Sequence, residues 1–257
     1  MKAVKYKKLY QSKTENAHQI KFDDEKKYVV KMHKRGAERT LVNEWIGYHL
    51  ARYMRLPVPE VKLVEIPQDF TQQVPEFGND IISTKKQLAT PFIENSGNAH
   101  KVNAEKIVNK DTLAGIIVLD YWLANVDRTR KNVFFEEVEA GKYKLWAIDF
   151  GDSFGSFNWT EDDLDHLPET VMPSATHRLL ATFIKNEQEF TRQLDIINAI
   201  PALLLEEIMG LIPDDWGLTN QEGNKLIKTL LDRREKVLPQ VIDQFVEQVY
   251  QPIHGRN

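Results

Sequence analysis

A chain of 257 residues without cysteine excludes a disulfide framework, a thiolate metal site and a cysteine nucleophile, and it is long enough to bury a substantial core. With 42% hydrophobic and 28% charged residues the balance is that of a globular protein, and no stretch approaches the roughly eighteen consecutive apolar residues of a membrane span, so no membrane association is expected. The formal net charge of -4 argues against direct nucleic-acid binding, although residues 1–40 hold twelve Lys or Arg against five Asp or Glu, an excess that suits polyphosphate as well as a solvated strand face.

The basic N-terminus runs into Leu9-Tyr10-Gln11-Ser12 without the apolar run of a signal peptide, so a cytoplasmic location is expected. Three short strands follow, Val4 to Tyr10, His18 to Phe22 and Lys27 to Lys31, an antiparallel meander whose second turn is Asp23-Asp24-Glu25. Leu41, Trp45, Tyr48, Leu50, Ala51 and Met54 recur at helical spacing and predict a helix over Glu38 to Met54, stopping before Pro57. Val58 to Ile66 reads as a strand and residues 67–80 as a loop, and Ile81 to Ile93 returns to the sheet or leaves it. Ala104 to Ala124 has the apolar weight of a buried helix and opens a second, helical lobe. Val133 to Val138 and Tyr143 to Ile148 form a hairpin, with the loop before it and Asp149 after it at its opposite ends. The last helix is long, with Thr219 as N-cap three residues before Glu222 and apolar positions running from Leu226 to Phe245.

Three residues carry the chemical reading. Asp127 follows the buried helix and is placed to accept a substrate hydroxyl proton, Asn132 offers a neutral oxygen to magnesium, and Asp149 of Asp149-Phe150-Gly151 offers a second carboxylate. Taken singly, each is most simply a turn residue. Their order, with one hairpin between Asn132 and Asp149, points to a phosphoryl-transfer centre. Upstream, Lys31 at a strand end and Glu44 in the first helix supply the lysine and glutamate such a centre uses, with Lys27 and Lys34 as rival lysines and a plain surface pair as the bland alternative. The turn Gln11 to Asn16 sits where a phosphate-covering loop belongs; it has no glycine, but Ser12, Lys13 and Thr14 offer phosphate contacts, and an ordinary hairpin turn fits it as well. No zinc-hydrolase, nucleophile-elbow or P-loop motif occurs.

On these residues the chain resembles the HipA-like kinases, whose catalytic loop is similar to that of phosphatidylinositol kinases. Asn125-Val-Asp-Arg-Thr-Arg-Lys-Asn132 is similar to the Asn-x-Asp-Arg-x3-Asn loop of that branch, and Leu145-Trp-Ala-Ile-Asp-Phe-Gly-Asp-Ser-Phe154 to the strand and metal-binding turn that follow. Tyr28-Val-Val-Lys31, Asn43-Glu44 and Leu56-Pro-Val-Pro-Glu60 agree in order. Two positions depart from the pattern: Thr129 stands where the branch often has histidine, and the phosphate loop lacks glycine.

The resemblance implies an α+β, two-lobed protein-kinase-like fold, with an N-terminal lobe over residues 1–93 (an antiparallel sheet with one helix, hinge near 88–93) and a mostly helical lobe over 94–257. It also implies ATP and Mg2+ as cofactors, a serine or threonine of a protein as acceptor and, for the toxin members, an antitoxin partner. By position Asp127 would be catalytic, Asn132 and Asp149 metal ligands, and Lys31, Glu44 and Ile148 part of the nucleotide side. Phosphorylation of a lipid or small molecule, and a non-catalytic binding module on the same fold, are the alternatives.

Overall fold

The computed structural model of the protein describes residues 1–255 except 12, 15, 83, 95 and 98–102. Three strands, β1 (Ala3–Leu9), β2 (Ala17–Phe22) and β3 (Lys27–Lys31), pair antiparallel in chain order as the expected meander. Tyr28 and Val30 point into a small core with Ile20 and Phe22, so the two-residue period of the strand puts Val29 and Lys31 on the opposite face.

α1 (Thr40–Tyr53) forms nearly where its spacing predicts and is buried along almost its whole length. Gly47 lets it approach the next lobe: a Cβ there would lie 2.4 Å from Cγ of Phe150. Of the strand expected over Val58 to Ile66 only β4 (Lys62–Val64) forms. Pro57 and Pro59 have no N–H to give a ladder, and the Pro57 carbonyl instead accepts from Ala147 N at 2.8 Å. The loop over 67–80 contains the short α2 (Gln68–Gln72). β5 (Gln87–Pro91) then returns between β3 and β4, giving the sheet order β1-β2-β3-β5-β4.

A second sheet joins β6 (Ser96–Gly97), β7 (Val133–Glu139) and β8 (Lys142–Ala147). The helix expected over Ala104 to Ala124 is shorter than its apolar content suggests: α3 covers Leu113–Trp122, every residue of it buried. Residues before it run beside β8 instead, where the Asn109 side chain donates to Leu145 O and accepts from Leu145 N, both at 2.9 Å, as a strand neighbour would.

Around α3 pack α4 (Ala175–Phe183), α5 (Gln188–Asn198), α7 (Asn220–Lys236) and α8 (Leu238–Phe245), while α6 (Ala202–Gly210) packs on α7 and α1. Thr219 and Glu222 form the expected capping box, but the single long helix does not form. It breaks at Val237, because Pro239 cannot continue the hydrogen-bond ladder, and after α8 a π turn leads to α9 (Gln251–His254). No helix among the described residues is long and apolar enough to cross a membrane.

Candidate active site

The loop after α3 is built on a buried charge. Asp120, fully enclosed, accepts from Arg128 Nε at 2.7 Å and Nη2 at 2.8 Å and from Asn125 Nδ2 at 2.8 Å, and His177 Nε2 lies 3.0 Å away. Burial alone would raise its pKa, but the Arg128 guanidinium outweighs burial and holds the carboxyl down at about 2. Arg128 then reaches forward, donating through Nη1 to the carbonyls of Ile148 and, at 3.3 Å, Asn132. One guanidinium therefore ties the end of α3, the far end of the loop and the strand before Asp149.

Antiparallel pairing of β7 with β8 sets Val133 opposite Ala147, and Ile148 N donates to Asn132 O at 3.0 Å. The loop after α3 and Asp149 are thus neighbours at the open end of the hairpin, not apart at opposite ends. Asn132 Nδ2 donates to Asp127 O at 2.7 Å, which commits the donor end of the amide to the loop and leaves its oxygen as the end for a cation.

Across this end stands Lys31. Its Nζ donates to Asp149 Oδ1 at 2.7 Å and to Glu44 Oε1, and the Glu44 carboxylate is wholly buried beneath it. Burial would lower the lysine pKa, but Asp149 and Glu44 raise it above its ordinary value, and Lys31 draws Asp149 below the usual carboxylate range against the effect of burial. Burial, with Asp149 nearby, pushes Glu44 up to about 8 although Lys31 pulls the other way, and Glu44 Oε2 has no hydrogen-bond partner.

The positive φ in this turn belongs to Asp149 (67°), not to Gly151. Gly151 is needed for space: a Cβ there would meet Thr40 Cγ2 at 3.2 Å and the Asp149 and Glu44 carboxylates at 3.3 Å. Asn43 on α1 fixes the following segment, its Nδ2 lying 2.7 Å from Gly151 O and 3.0 Å from both Ser153 O and Ser156 O.

A cavity of about 830 Å³, within the usual range for small-molecule sites, is lined by Lys31, Asp127, Asn132, Ile148 and Asp149. Glu44 supports Lys31 from behind. Lys13 and Thr14 reach the same cavity from the glycine-free turn, but Lys13 pairs with Asp152 at 3.1 Å and Thr14 donates to Asn16 Oδ1 at 2.8 Å. Ser12 lies outside the described residues. Burial, then Asp152 and Asp149, raise the Asp127 pKa, the direction a proton acceptor needs.

The residues fit magnesium and nucleotide. The Asp149 carboxylate and the free oxygen of Asn132 are the oxygen ligands a hard cation takes, and Lys8, Lys13, Arg130 and Lys131 add positive charge around the same cavity.

The sequence alone does not point to Asp120 and His177, and it marks Asn43 only by its place beside Glu44 and Tyr48 only as an apolar helix position, although all four shape the site; Asp149 N donates to Tyr48 OH at 3.4 Å. Asp120 carried a usable signal, as the only charged residue of the apolar helix Leu113–Trp122.

The HipA-like kinase family matches residues 6–249 of the chain. Among solved structures, the Helicobacter pylori proinflammatory kinase CtkA superposes with a TM-score of 0.58 at 15% identity, over 91% of this chain and 95% of that one. HipA of Shewanella oneidensis MR-1, solved in a toxin–antitoxin complex with HipB and operator DNA, is matched over 92% of this chain and 68% of its own, with a TM-score of 0.44 at 14% identity. No curated protein matches the chain. With a family match over nearly its whole length, the chain belongs to the HipA-like kinase family.

Proposed function

We propose that the chain is an ATP- and magnesium-dependent kinase that transfers the γ-phosphate to a serine or threonine hydroxyl of a protein. The observation that carries this is the placement of Lys31 between Glu44 and Asp149, with Asp127 and Asn132 on the wall of the same cavity. In this reading Asp127 receives the acceptor's proton, its raised pKa favouring transfer near neutral pH. Lys31, oriented by Glu44, binds nucleotide phosphates, and Asn132 and Asp149 would hold magnesium. When bound, magnesium neutralises charge on the phosphates. Lys13 and Thr14 close over the phosphates once Lys13 leaves Asp152, and Ser12 belongs to the same turn.

Residues 1–93 then act as the nucleotide-side lobe and 94–257 as the catalytic lobe. Thr90, Pro91, Phe92 and Ile93 line the cavity where the hinge is expected, and Val29, Phe134 and Ile148 offer apolar surface to a base. A cytoplasmic location and a partner of antitoxin type belong to this reading through family membership alone.

Phosphoproteomics after expression of wild type and of Asp127→Ala tests it. Phosphoserine or phosphothreonine sites present only with wild type are expected; identical phosphopeptides from both would remove the reading, and lipid or small-molecule products alone would redirect it.

A further inference from the structure

Beside the catalytic cavity lies a second pocket of about 690 Å³, floored by Trp159 and Trp216. The two meet along one seam. Arg39 and Asn158 face the second pocket and their neighbours Thr40 and Phe157 face the catalytic cavity, with Arg39 N donating to Phe157 O at 3.1 Å.

Their charges are opposite. The catalytic cavity carries Lys8, Lys13, Lys31, Arg130 and Lys131 against Asp127, Asp149 and Asp152. The second pocket carries Glu38, Glu161, Asp162 and Glu222 against Arg39 alone. That arginine is spent: it pairs with Glu222, donates to Gly217 O at 3.0 Å and stacks 4.9 Å over Trp159. Glu222 is also held by the Thr219 cap. Among the described residues Glu38, Glu161 and Asp162 form no ion pair; Glu38 accepts from Gly36 N at 2.9 Å and Glu161 from Gln221 Nε2 at 2.9 Å.

A second observation points to a ligand. His33 lines the pocket while only 4% exposed, and neither ring nitrogen makes a hydrogen bond of good geometry. Burial lowers its pKa, against the pull of Glu38 and Asp215 and together with Arg39, which favours the neutral ring with one nitrogen as an acceptor. An unmet acceptor among three carboxylates that no cation pairs suits a guanidinium or ammonium group, and repels phosphate.

We propose that this pocket anchors an arginine or lysine side chain of the protein acceptor, so that hydroxyls flanked by a basic residue are preferred. The proposal rests on the kinase reading above for its purpose, but its binding step needs no catalysis. An acceptor lying across the Arg39–Phe157 seam places its cationic side chain over Glu38, Asp162 and His33 and its hydroxyl on the Asp127 side.

Calorimetric titration of the full chain without nucleotide tests this, using a short serine peptide flanked by arginines, the same peptide with glutamines in their place, and free arginine amide. Wild type should bind the arginine peptide roughly ten- to a hundredfold tighter than the glutamine peptide, the scale of one or two charge-assisted hydrogen bonds. Glu38→Gln/Asp162→Asn, which keeps the acceptor for Gly36, should lose most of that difference while its thermal shift with Mg-ATP stays that of wild type. In transfer assays the same variant should raise KM for the arginine peptide and leave kcat unchanged. Equal affinities for the two peptides, or an unchanged preference in the variant, overturn the proposal, as does free arginine amide binding as tightly as the peptide. Peptide binding as expected with no transfer to any acceptor would instead remove the kinase reading, and transfer with no arginine preference would remove the anchor alone.

Discussion

The loop after α3 and the Gln11–Asn16 turn face each other across one cavity and are held by opposite means. The loop is fastened by a buried ion network, Asp120 to Arg128 and on to Ile148 and Asn132, with both charged side chains fully enclosed. The turn reaches the other wall through Lys13, whose side chain is 63% exposed where it pairs with Asp152 and lies 4.5 Å over the Phe157 ring. A buried, multiply bonded network has one geometry, whereas an exposed pair exchanges with water at little cost. Under the proposed function, the difference suits a site whose chemical groups are fixed and whose phosphate cover adjusts.

The comparison breaks most visibly at Asp120. Asp120→Ala leaves Arg128 buried and uncompensated, and should cost about 3–5 kcal/mol in urea denaturation. A loss below about 1 kcal/mol would mean the loop is held by something else. Acid sharpens the same point. The folded-state pKa of Asp120 is about 2, below its ordinary 3.8. Its contribution to stability is therefore complete above about pH 4 and lost as pH falls toward 2. In Asp120→Asn that part of the acid dependence should be absent, and an unchanged acid limb would contradict the network's role.

A smaller effect is expected at the contact between α1 and Phe150. Gly47→Ala should displace the ring and cost about 1–3 kcal/mol, read from the denaturation midpoint, because the Cβ has nowhere to go. At the bottom of the scale, Lys13→Ala should change stability by less than about 1 kcal/mol while weakening Mg-ATP binding in a thermal shift assay. A large stability loss there would show that the turn is as firmly built as the loop.

These regions also differ in how far the sequence reveals them. Asp127, Asn132 and Asp149 stand out because phosphoryl transfer needs those groups in that order, and local signals such as the Thr219–Glu222 capping box need no partner elsewhere. Contacts across the chain are another matter. Nothing near His177 marks it as a partner of Asp120, and Asn43 meets Gly151 more than a hundred residues away. The shortened α3 and β4 have the same origin: Asn109 and Pro57 bond to β8 and its end, and such pairings override a local apolar run. His33 and Glu38 gain meaning only when folding brings them opposite Asp162 and Trp216.

The central claim is that Asp127 performs chemistry in a site that binds nucleotide without it. Transfer of radiolabelled γ-phosphate to protein acceptors, measured for wild type and Asp127→Ala at matched Mg-ATP saturation, tests that claim most directly. The account predicts a rate loss of roughly a hundred- to ten-thousandfold in the variant with nucleotide binding retained. Equal transfer by the two proteins would contradict it.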